Sequence, residues 1–586
     1  MLGKVIAVFE NNVEVELTLD HDNVKKYLNY HVVFDEENFK IVGEVKEITN
    51  QKIIVNCLGE INSSNKFVPG LLKKPSLGIS CRIIHKEELD LILGKNENLK
   101  KIYFGRMPIY DGYPLYVNVN DFFAHHFAIF GNTGSGKSCS IARIIQNVFA
   151  DPKAVPKNAK IFIFDAYGEY HSAFNKIMNL NPALNFKTYT TNTKFEDTNI
   201  LKIPLWLLGV DEICLLLGVD NHAQIPIIEK ALKLVNVFAR DESNVLQYKN
   251  DIIARALLDI LYSGATASKI RDHFIAILTN YNTRDLNLEA KIIQPGYTRT
   301  LKQCLIVDRD GKLHEIQLLT EFLNQFIHDG LELSLPDGSF PYTLKNLKEA
   351  VDFALISEGI LKSDKVYDYA NVLKVRINSL FNSNNRHYFQ YDRYVTKEQY
   401  IKELIKIDDT NTAQIINFNI NYVDDRFAKV ITKIYAKLLL DYVYNLNEKG
   451  SFPVHLILEE AHRYVQKDSD VELLGYNIFD RITKEGRKYG ILLGLISQRP
   501  SELSDTALSQ CSNFLIFKMV HPQDTTYVKN MVPSITNEIV ERLKSLQPGT
   551  CISFGKAFPI PTIIHFDIPD PQPKSTSSDI GNLWYK

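Results

Sequence analysis

A glycine-rich segment between an apolar strand and an amphipathic helix constrains this chain more than any other feature of its sequence. Phe127–Phe130 predicts a buried strand, residues 131–138 read Gly-Asn-Thr-Gly-Ser-Gly-Lys-Ser, and a helical apolar stripe follows from Ser140. The loop fits the pattern G-x-x-x-x-G-K-[ST], whose glycines let successive backbone N–H groups surround phosphate oxygens. The helix adds its positive N-terminal end. The segment therefore predicts that the chain binds a nucleoside triphosphate, ATP.

The loop residues have distinct expected tasks. Lys137 is expected to reach the β- and γ-phosphates and to act in catalysis, and Ser138 is expected to ligate Mg²⁺. The residues expected to hold the nucleotide are Asn132, Thr133, Gly134, Ser135, Gly136, Lys137, Ser138 and Cys139.

Two adjacent carboxylates follow a later apolar strand, Val454–Leu458. Hydrolysis needs one carboxylate that holds Mg²⁺ through its water shell and a second that orients the attacking water. We assign Glu459 to the metal and Glu460 to the water. Gln498 ends the next strand and is expected to sense the γ-phosphate or the water, with simple solvation of a strand end as the alternative.

A third strand also ends in an acidic residue. Asp165 closes the apolar run Lys160–Asp165, and Glu169 follows four residues later. Because ligands of α/β sheets bind at the carboxyl ends of strands, both side chains are expected near the nucleotide. Loop solvation and helix capping are the alternative for this pair.

Alternating strands and helices on both sides of a helical stretch predict an α/β fold. We expect a RecA-like P-loop ATPase core with a parallel sheet covered on both faces. Short strands such as 13–19, after an Asn11-Asn12 turn, predict a small N-terminal β-barrel. Helical periodicity predicts an inserted α-helical domain, interrupted by one hairpin that turns at Asp310-Gly311. The predicted boundaries are 1–95 for the barrel, 96–194 and 411–566 for the two halves of the core, 195–410 for the insertion and 567–586 for a C-terminal tail.

Composition limits the partners and the compartment. A formal net charge of −2 gives no overall basic field, so DNA contact would need a local patch or a pore formed by assembly. The seven cysteines are scattered without a C-x-x-C pair, which favours reduced thiols over disulfides or a zinc site. No apolar run approaches the roughly 18 residues that span a bilayer. We expect a soluble cytoplasmic protein with no membrane partner.

Five motifs in a fixed order carry a resemblance to a known family. They are Gly131-Asn-Thr-Gly-Ser-Gly-Lys-Ser138, Asp165-Ala-Tyr-Gly-Glu-Tyr170, Leu458-Glu-Glu-Ala-His462, Glu485-Gly-Arg-Lys488 and Ser497-Gln-Arg-Pro500. Together they resemble the HerA branch of the FtsK–HerA family of ATPases. The resemblance extends over the barrel, both halves of the core and the closing segment 546–555, whereas the insertion matches only in placement.

The resemblance implies a homohexameric ring that uses ATP to pump double-stranded DNA through its central pore. It also implies an arginine donated into a neighbour's active site, and Arg487 is the matching position. A surface arginine at a helix C-terminus is the alternative for Arg487. Two departures stand out, since Glu459 lies where aspartate is common and His125-His126 lie where an arginine would add a charge.

The resemblance further implies a separate effector, either a nuclease or a sirtuin-like NAD-consuming subunit. The implied setting is anti-phage defence or the processing of DNA ends. The barrel lies at one face of the ring by resemblance, and we expect residues 1–95 to be the main platform for that effector.

Two other functions remain open. An oligomeric ATP-binding scaffold or switch would assemble and license a partner with little translocation, and the full set of hydrolytic residues argues against it. A membrane-bound conjugation or secretion ATPase is disfavoured because no segment is long and apolar enough to span a bilayer.

Overall fold

Residues 3–83 form a small closed β-barrel in the computed structural model. The structure describes residues 1–10, 12–18, 25–94, 100–151, 155–177, 181, 183–194, 199–240, 243–328, 340–359, 364–468, 470–532, 535–574 and 580–585. The barrel strands are β1 Gly3–Val8, β2 Asn12–Leu17, β3 His31–Asp35, β4 Lys40–Ile48, β5 Lys52–Ile61, β6 Phe67–Pro69 and β7 Ser80–Ile83. Strands β2, β1, β7, β3, β4 and β5 follow one another and close through a β2–β5 pairing, and β6 extends from β5.

The barrel follows from alternation in its strands. In β2, Val13 and Val15 point into the core while Glu14 and Glu16 point outward, and Val15 lies opposite Ile53 of β5. A slip of one residue would turn the apolar set to solvent, so this pattern fixes the register. Of the predicted features, Asn11 and the strand end Leu19 lie outside the described residues.

The chain then enters the core. The elements of this first part are α1 Lys86–Leu93, β8 Lys101–Met107, β9 Tyr113–Asn118, α2 Val119–Phe123, β10 Phe127–Phe130, α3 Lys137–Val148, β11 Lys160–Asp165, α4 Tyr170–Phe174 and β12 Phe186–Thr190. Strands β10 and β11 are buried along their whole length, as a strand covered on both faces requires.

A helical insertion separates the two parts of the core. Its elements are α5 Val210–Leu217, α6 Ile225–Phe238, α7 Ser243–Leu261, α8 Ala267–Asn280, β13 Lys291–Gln294, β14 Tyr297–Thr300, α9 Leu301–Cys304, α10 Ile316–Asn324, α11 Leu344–Gly359, α12 Asp364–Asn382 and α13 Lys397–Ile405. Buried residues of the insertion, such as Phe274, belong to one continuous apolar cluster with Phe130 and Phe164 of the sheet. The insertion and one face of the sheet therefore share a core.

The hairpin of the insertion lies earlier than predicted. The turn at Asp310-Gly311 exists, but only one antiparallel bridge, Val307 to Leu313, flanks it. The paired strands are instead β13 and β14. Helix α9 ends at Cys304 with Leu305 as its C-cap, and helix α10 begins at Ile316, so little chain remains on either side of this bridge for a longer ladder.

The second part of the core completes the sheet. Its elements are β15 Ile415–Asn419, α14 Asp425–Tyr444, β16 Val454–Leu458, α15 Asp470–Leu474, α16 Ile478–Glu485, β17 Ile491–Ser497, α17 Asp505–Ser509, β18 Asn513–Phe517, α18 Pro522–Met531, α19 Asn537–Lys544, β19 Thr550–Gly555, β20 Phe558–His565 and the terminal α20 Ile580–Trp584.

In the part of the chain that the structure describes, the core sheet has eleven strands and is mixed, which corrects the prediction of a parallel sheet. Strands β12, β15, β11, β16, β17, β10 and β18 are parallel neighbours in that order, and β19, β20, β8 and β9 continue antiparallel. The antiparallel strands need no crossover helix, because short turns join β8 to β9 and β19 to β20.

The long helix α14 packs on the sheet by an apolar face and is held by ion pairs at its sides. Lys433, with 2% of its side chain exposed, pairs with Asp468 and Asp470, and Lys397 of α13 donates to Asp441 at 2.8 Å. Across the described ranges, no helix combines the length and apolarity that crossing a membrane requires.

The buried carboxylate of Glu88 connects α1 to the barrel, and its contribution to the free energy of unfolding depends on pH. Arg82 donates to both oxygens of Glu88, at 2.7 and 2.8 Å, and Lys40 donates at 2.7 Å. Burial raises the pKa of Glu88, but the hydrogen bonds from Arg82 and Lys40 outweigh burial and lower this pKa to about 2.

We expect Glu88→Gln to lower stability at pH 7 by about 1–3 kcal/mol, because the two cations would face a neutral amide. A carboxylate whose folded pKa is depressed contributes stability above its unfolded pKa of about 4.3, and that stability is lost as the pH falls through the folded value. The gap between wild type and variant should therefore narrow below about pH 4.3, as thermal unfolding across pH would show. Glu87→Gln, at the exposed neighbour, is the control, and equal destabilisation by both would contradict the assignment.

Candidate nucleotide-binding site

The predicted site residues, with the exception of Arg487, meet at one edge of the sheet. Residues 131–136 form the loop between β10 and α3, and Glu459 and Gln498 follow the carboxyl ends of β16 and β17. Strand β17 lies between β10 and β16, so the loop, Gln498 and the carboxylate pair occupy successive strand ends. Parallel strands place their carboxyl ends at the same edge, which explains this convergence.

Lys137 folds back over its own loop. Its ammonium group donates to the carbonyl oxygens of Gly131 at 2.7 Å and Asn132 at 2.9 Å, and the residue is 8% exposed. Burial lowers the pKa of Lys137, while the charges of Glu460 and Glu459 act in the opposite direction. The loop therefore holds a buried cation against its own carbonyl oxygens.

The loop is packed tightly against the segments that follow β18 and precede β19. A Cβ on Gly131 would lie 2.6 Å from the Cβ of Phe517, and a Cβ on Gly136 would lie 2.7 Å from the backbone nitrogen of Gly549. Gly136 also has φ 103°, a conformation that favours glycine. Two glycines of the motif are therefore required by close approach within the protein as well as by the phosphate.

Ser138 and Glu459 face each other. The Ser138 hydroxyl donates to Oε1 of Glu459 at 3.1 Å, and the buried Oε2 of Glu459 has no hydrogen-bond partner among the described residues. Burial, with the charges of Asp165, Glu169 and Glu460, raises the pKa of Glu459 well above its ordinary value. An unsatisfied carboxylate oxygen beside a serine hydroxyl fits a hard divalent cation such as Mg²⁺, whose charge would offset this repulsion.

Glu460 adopts a strained backbone and joins a short hydrogen-bonded chain. Its φ of 48° is left-handed, which is uncommon for a residue other than glycine. Gln498 donates from Nε2 to Oε1 of Glu460 at 3.2 Å and accepts from the Thr133 hydroxyl at 2.6 Å. Gln498 thus links the phosphate loop to the carboxylate that we assign to water.

His462 lies on the other side of Glu460. Its Nδ1 is 3.3 Å from Oε2 of Glu460 and 3.2 Å from the Ser497 hydroxyl. Burial lowers the pKa of His462, and the charge of Glu460 opposes this effect. His462 belongs to the motif Leu458–His462, but the sequence alone assigns it no role. Its contact with Glu460 is visible only in the folded structure.

Asp165 and Glu169 occupy different positions near this edge. The Asp165 carboxylate is fully buried and accepts from the backbone N–H groups of Gly168, Glu169 and Tyr170 at 2.7–3.0 Å. It therefore caps the start of α4. Glu169 is half-buried, and burial together with the charges of Asp165 and Glu460 raises its pKa.

Arg487 lies at the opposite end of β17 from the loop. It is exposed and precedes the strand, whereas Gln498 follows it. At about 3.3 Å per residue, the strand separates the two by roughly 20 Å. His125 and His126 lie at this same edge, and His126 is buried and accepts from the Leu493 N–H at 2.9 Å. Arg487 does not reach the loop of its own subunit.

A polar cleft of about 610 Å³ opens beside Asn132, Thr133 and Gln498. The remaining lining residues are Arg499, Ser501, Glu502, His521, Gln523 and Asp524. Of these six, only Arg499 stands in a sequence motif; Ser501 and Glu502 follow that motif, and the last three follow β18, where no motif marks them. The nucleotide edge of the sheet is therefore open on the side of Gln498.

Comparisons with known proteins agree with the motifs. The family profile described as the central domain of the helicase HerA matches residues 102–439, more than half of the chain. A probable helicase of Methanocaldococcus jannaschii is 22% identical over an alignment of 600 residues, which spans 100% of this chain and 87% of the relative. The DNA double-strand break repair helicase HerA of Pyrococcus furiosus is 21% identical over 544 residues, spanning 92% of this chain and 81% of the relative.

A solved structure is also similar to this chain at low identity. VirB4 of Thermoanaerobacter pseudethanolicus is 12% identical, with a TM-score of 0.42, and the match covers 83% of this chain and 99% of that one.

Gly136 and Gly134 of the loop differ in how closely other atoms approach them, so substituting each by alanine tests how tightly the loop is packed. Gly136→Ala would place a methyl group against the Gly549 backbone, whereas Gly134→Ala meets no atom within 4 Å. Gly134 has φ 72°, so its replacement costs about 1 kcal/mol of backbone strain alone. We expect Gly136→Ala to cost about 1–3 kcal/mol more in thermal unfolding. Equal losses of stability would show that the contact with Gly549 is unimportant.

Proposed function

The chain belongs to the HerA helicase family, and from that premise we propose that it hydrolyses ATP to move double-stranded DNA. The observation that carries the proposal is the hydrogen-bonded series Thr133, Gln498, Glu460 beside Lys137 and the Ser138–Glu459 pair. This arrangement supports the assignment of Lys137, Glu460 and Gln498 to catalysis, and the catalytic role of Arg487 rests on its position relative to a neighbouring copy, as argued below. It equally supports residues 132–139 as the nucleotide-binding loop.

Mg²⁺ is the metal that this edge of the sheet fits. The unsatisfied Oε2 of Glu459 and the hydroxyl of Ser138 would hold the ion, directly or through water. When bound with the nucleotide, Mg²⁺ supplies charge neutralisation at the β- and γ-phosphates. Lys137 contributes a further positive charge at the same place, and Glu460 holds the proton acceptor position toward the attacking water.

Two substitutions separate binding from cleavage. Lys137→Ala should abolish binding of ATP, because the buried cation of the loop is lost. Glu460→Gln should retain binding and lower kcat by about 10²–10⁴-fold, because an amide cannot accept the proton of the attacking water. Equilibrium binding of a fluorescent ATP analogue and steady-state turnover measure the two effects. Glu472→Gln, an exposed glutamate of α15, is the matched control, and normal turnover of Glu460→Gln would reject the assignment.

DNA dependence separates a motor from a scaffold. A translocase should hydrolyse ATP faster when duplex DNA is present, whereas an oligomeric switch should turn over slowly with or without it. The same turnover assay with added duplex therefore decides between the proposed function and its alternative.

We further propose that the active unit is a homohexamer with DNA in its central pore. Support comes from the position of Arg487, which is exposed and lies roughly 20 Å of strand length away from its own loop. An arginine at that edge can complete the site of a neighbouring copy in a ring and stabilise charge in the transition state.

Arg487→Ala should retain nucleotide binding and lower kcat by about 10³–10⁵-fold. Mixing Arg487→Ala subunits with Glu460→Gln subunits should restore turnover at interfaces where both intact residues meet. Turnover across mixing ratios measures the effect, with Lys484→Ala at an exposed position of α16 as the control. Mixed rings of demonstrated composition without any recovery would place Arg487 outside the neighbour's site.

We also propose a separate effector, a nuclease or a sirtuin-like NAD-consuming subunit, in anti-phage defence or DNA end processing. The barrel is its proposed platform. Support comes from three exposed apolar residues near one end of the barrel, Phe9, Leu72 and Leu77, which are 54%, 90% and 70% exposed. Lys74 donates to the carbonyl oxygens of Phe9 and Glu10 at 2.9 and 2.7 Å, which holds the two loops together.

The double substitution Leu72→Asp, Leu77→Asp should abolish co-purification of the effector and leave ATP binding unchanged, because it alters only this barrel surface. The product of the neighbouring open reading frame, tagged, is the bait. Val375→Asp, at an exposed position of the insertion, is the control. If the barrel variant still recovers all of the effector, the docking surface lies elsewhere on the chain.

A further inference from the structure

A helical hairpin between β18 and β19 borders the phosphate loop at both of its ends. We call the described residues of 518–549, with α18 and α19, the connecting hairpin. At its start the Lys518 carbonyl accepts from the Asn132 N–H at 2.9 Å, and at its end the Gly549 N–H donates to the Ser135 carbonyl at 2.9 Å. The phosphate loop is therefore hydrogen-bonded to both ends of the connecting hairpin.

The connecting hairpin also contacts the segment after Gln498. The backbone N–H and the hydroxyl of Ser501 donate to Oδ1 of Asp524 at 3.3 and 2.7 Å, and Asp524 is only 6% exposed. Within the hairpin, the Met519 N–H donates to the Leu543 carbonyl, so the end of α19 is joined to the segment that supports the loop. Displacement of α19 would be transmitted to Asn132 through two backbone hydrogen bonds.

The other side of the connecting hairpin is attached to the barrel. Arg542 of α19 donates from Nη1 to Oε1 of Glu44 on β4 at 3.2 Å and from Nη2 to Oδ1 of Asn29. The Glu44 side chain is 5% exposed and also pairs with Lys46 at 3.1 Å. Because a buried ion pair has a defined geometry, this contact fixes α19 relative to the barrel.

The barrel has a second attachment to the core that does not involve the connecting hairpin. Tyr110, between β8 and β9, accepts from the His31 N–H at 2.9 Å and lies 2.6 Å from its Nδ1. Loss of Arg542 would therefore leave the barrel in place and remove this polar contact between the barrel and α19.

We propose that Arg542 is a positioning residue for ATP hydrolysis. By holding α19 against the barrel, it fixes the phosphate loop and the segment that carries Gln498. Catalysis is sensitive to such placement, since a shift of about 1 Å can cost a factor of about 10². Through the same contacts, the rate of ATP turnover depends on the orientation of the barrel, although the barrel lies at a distance from the reacting atoms. The inference rests on the ATPase activity proposed above.

The test compares steady-state kinetics of the full-length protein well below its unfolding temperature. Arg542→Ala and Glu44→Gln should each lower kcat/KM by about fivefold or more, with kcat the larger part of the change. The double variant should show no further loss, because both substitutions remove the same contact. Arg542→Lys, which keeps the charge, should recover part of the activity. Lys544→Ala, on the same helix and paired with exposed Glu541, should match wild type.

The outcomes separate this inference from the proposed function. Absence of turnover in the wild type would defeat the proposed function. Wild-type turnover with unchanged kcat and KM in folded Arg542→Ala or Glu44→Gln would overturn the positioning role, as would losses that simply add in the double variant. If Arg542→Ala fails to fold, Glu44→Gln and Arg542→Lys carry the same test.

Discussion

The site depends on the balance between one buried cation and the carboxylates that surround it. Glu459 and Glu460 are 3% and 8% exposed, and Glu169 and Asp165 lie close by. Burial of several like charges is unfavourable unless positive charge offsets it. Lys137 supplies one such charge from the first turn of α3, while burial, together with the charges of Asp165, Glu169 and Glu460, raises the pKa of Glu459 well above its ordinary value. This edge of the sheet is therefore suited to a ligand that binds together with a positively charged metal ion.

The features that could be predicted from the sequence are those whose chemistry requires particular residue types close together along the chain. The phosphate loop, the Glu459-Glu460 pair and Gln498 all follow apolar strands, and an apolar run of four to seven residues is a strong signal for a buried strand. Their convergence follows from parallel packing alone. The barrel was predictable for a related reason, since alternation in β2 marks one face for burial.

The features that the sequence did not predict depend on long-range contacts. Strand β12 reads Phe-Lys-Thr-Tyr-Thr and is half-buried throughout, so it lacks the pattern of its neighbours. The contact between Arg542 and Glu44 joins residues almost 500 positions apart, and no local signal identifies it. The Asp310-Gly311 turn was a true local signal, yet the helices that end at Cys304 and begin at Ile316 leave little chain beside it for strand pairing.

The shared core of the insertion and the sheet affects how such proteins can diverge. Phe274 of the insertion and Phe164 of β11 belong to the same apolar cluster, so the two regions cannot change independently. A chimera that exchanged the insertion between relatives would bring side chains of one shape against a sheet face of another. Substitutions in the insertion and on that face are therefore expected to be inherited together. Residues on the opposite face of the sheet can change independently of the insertion.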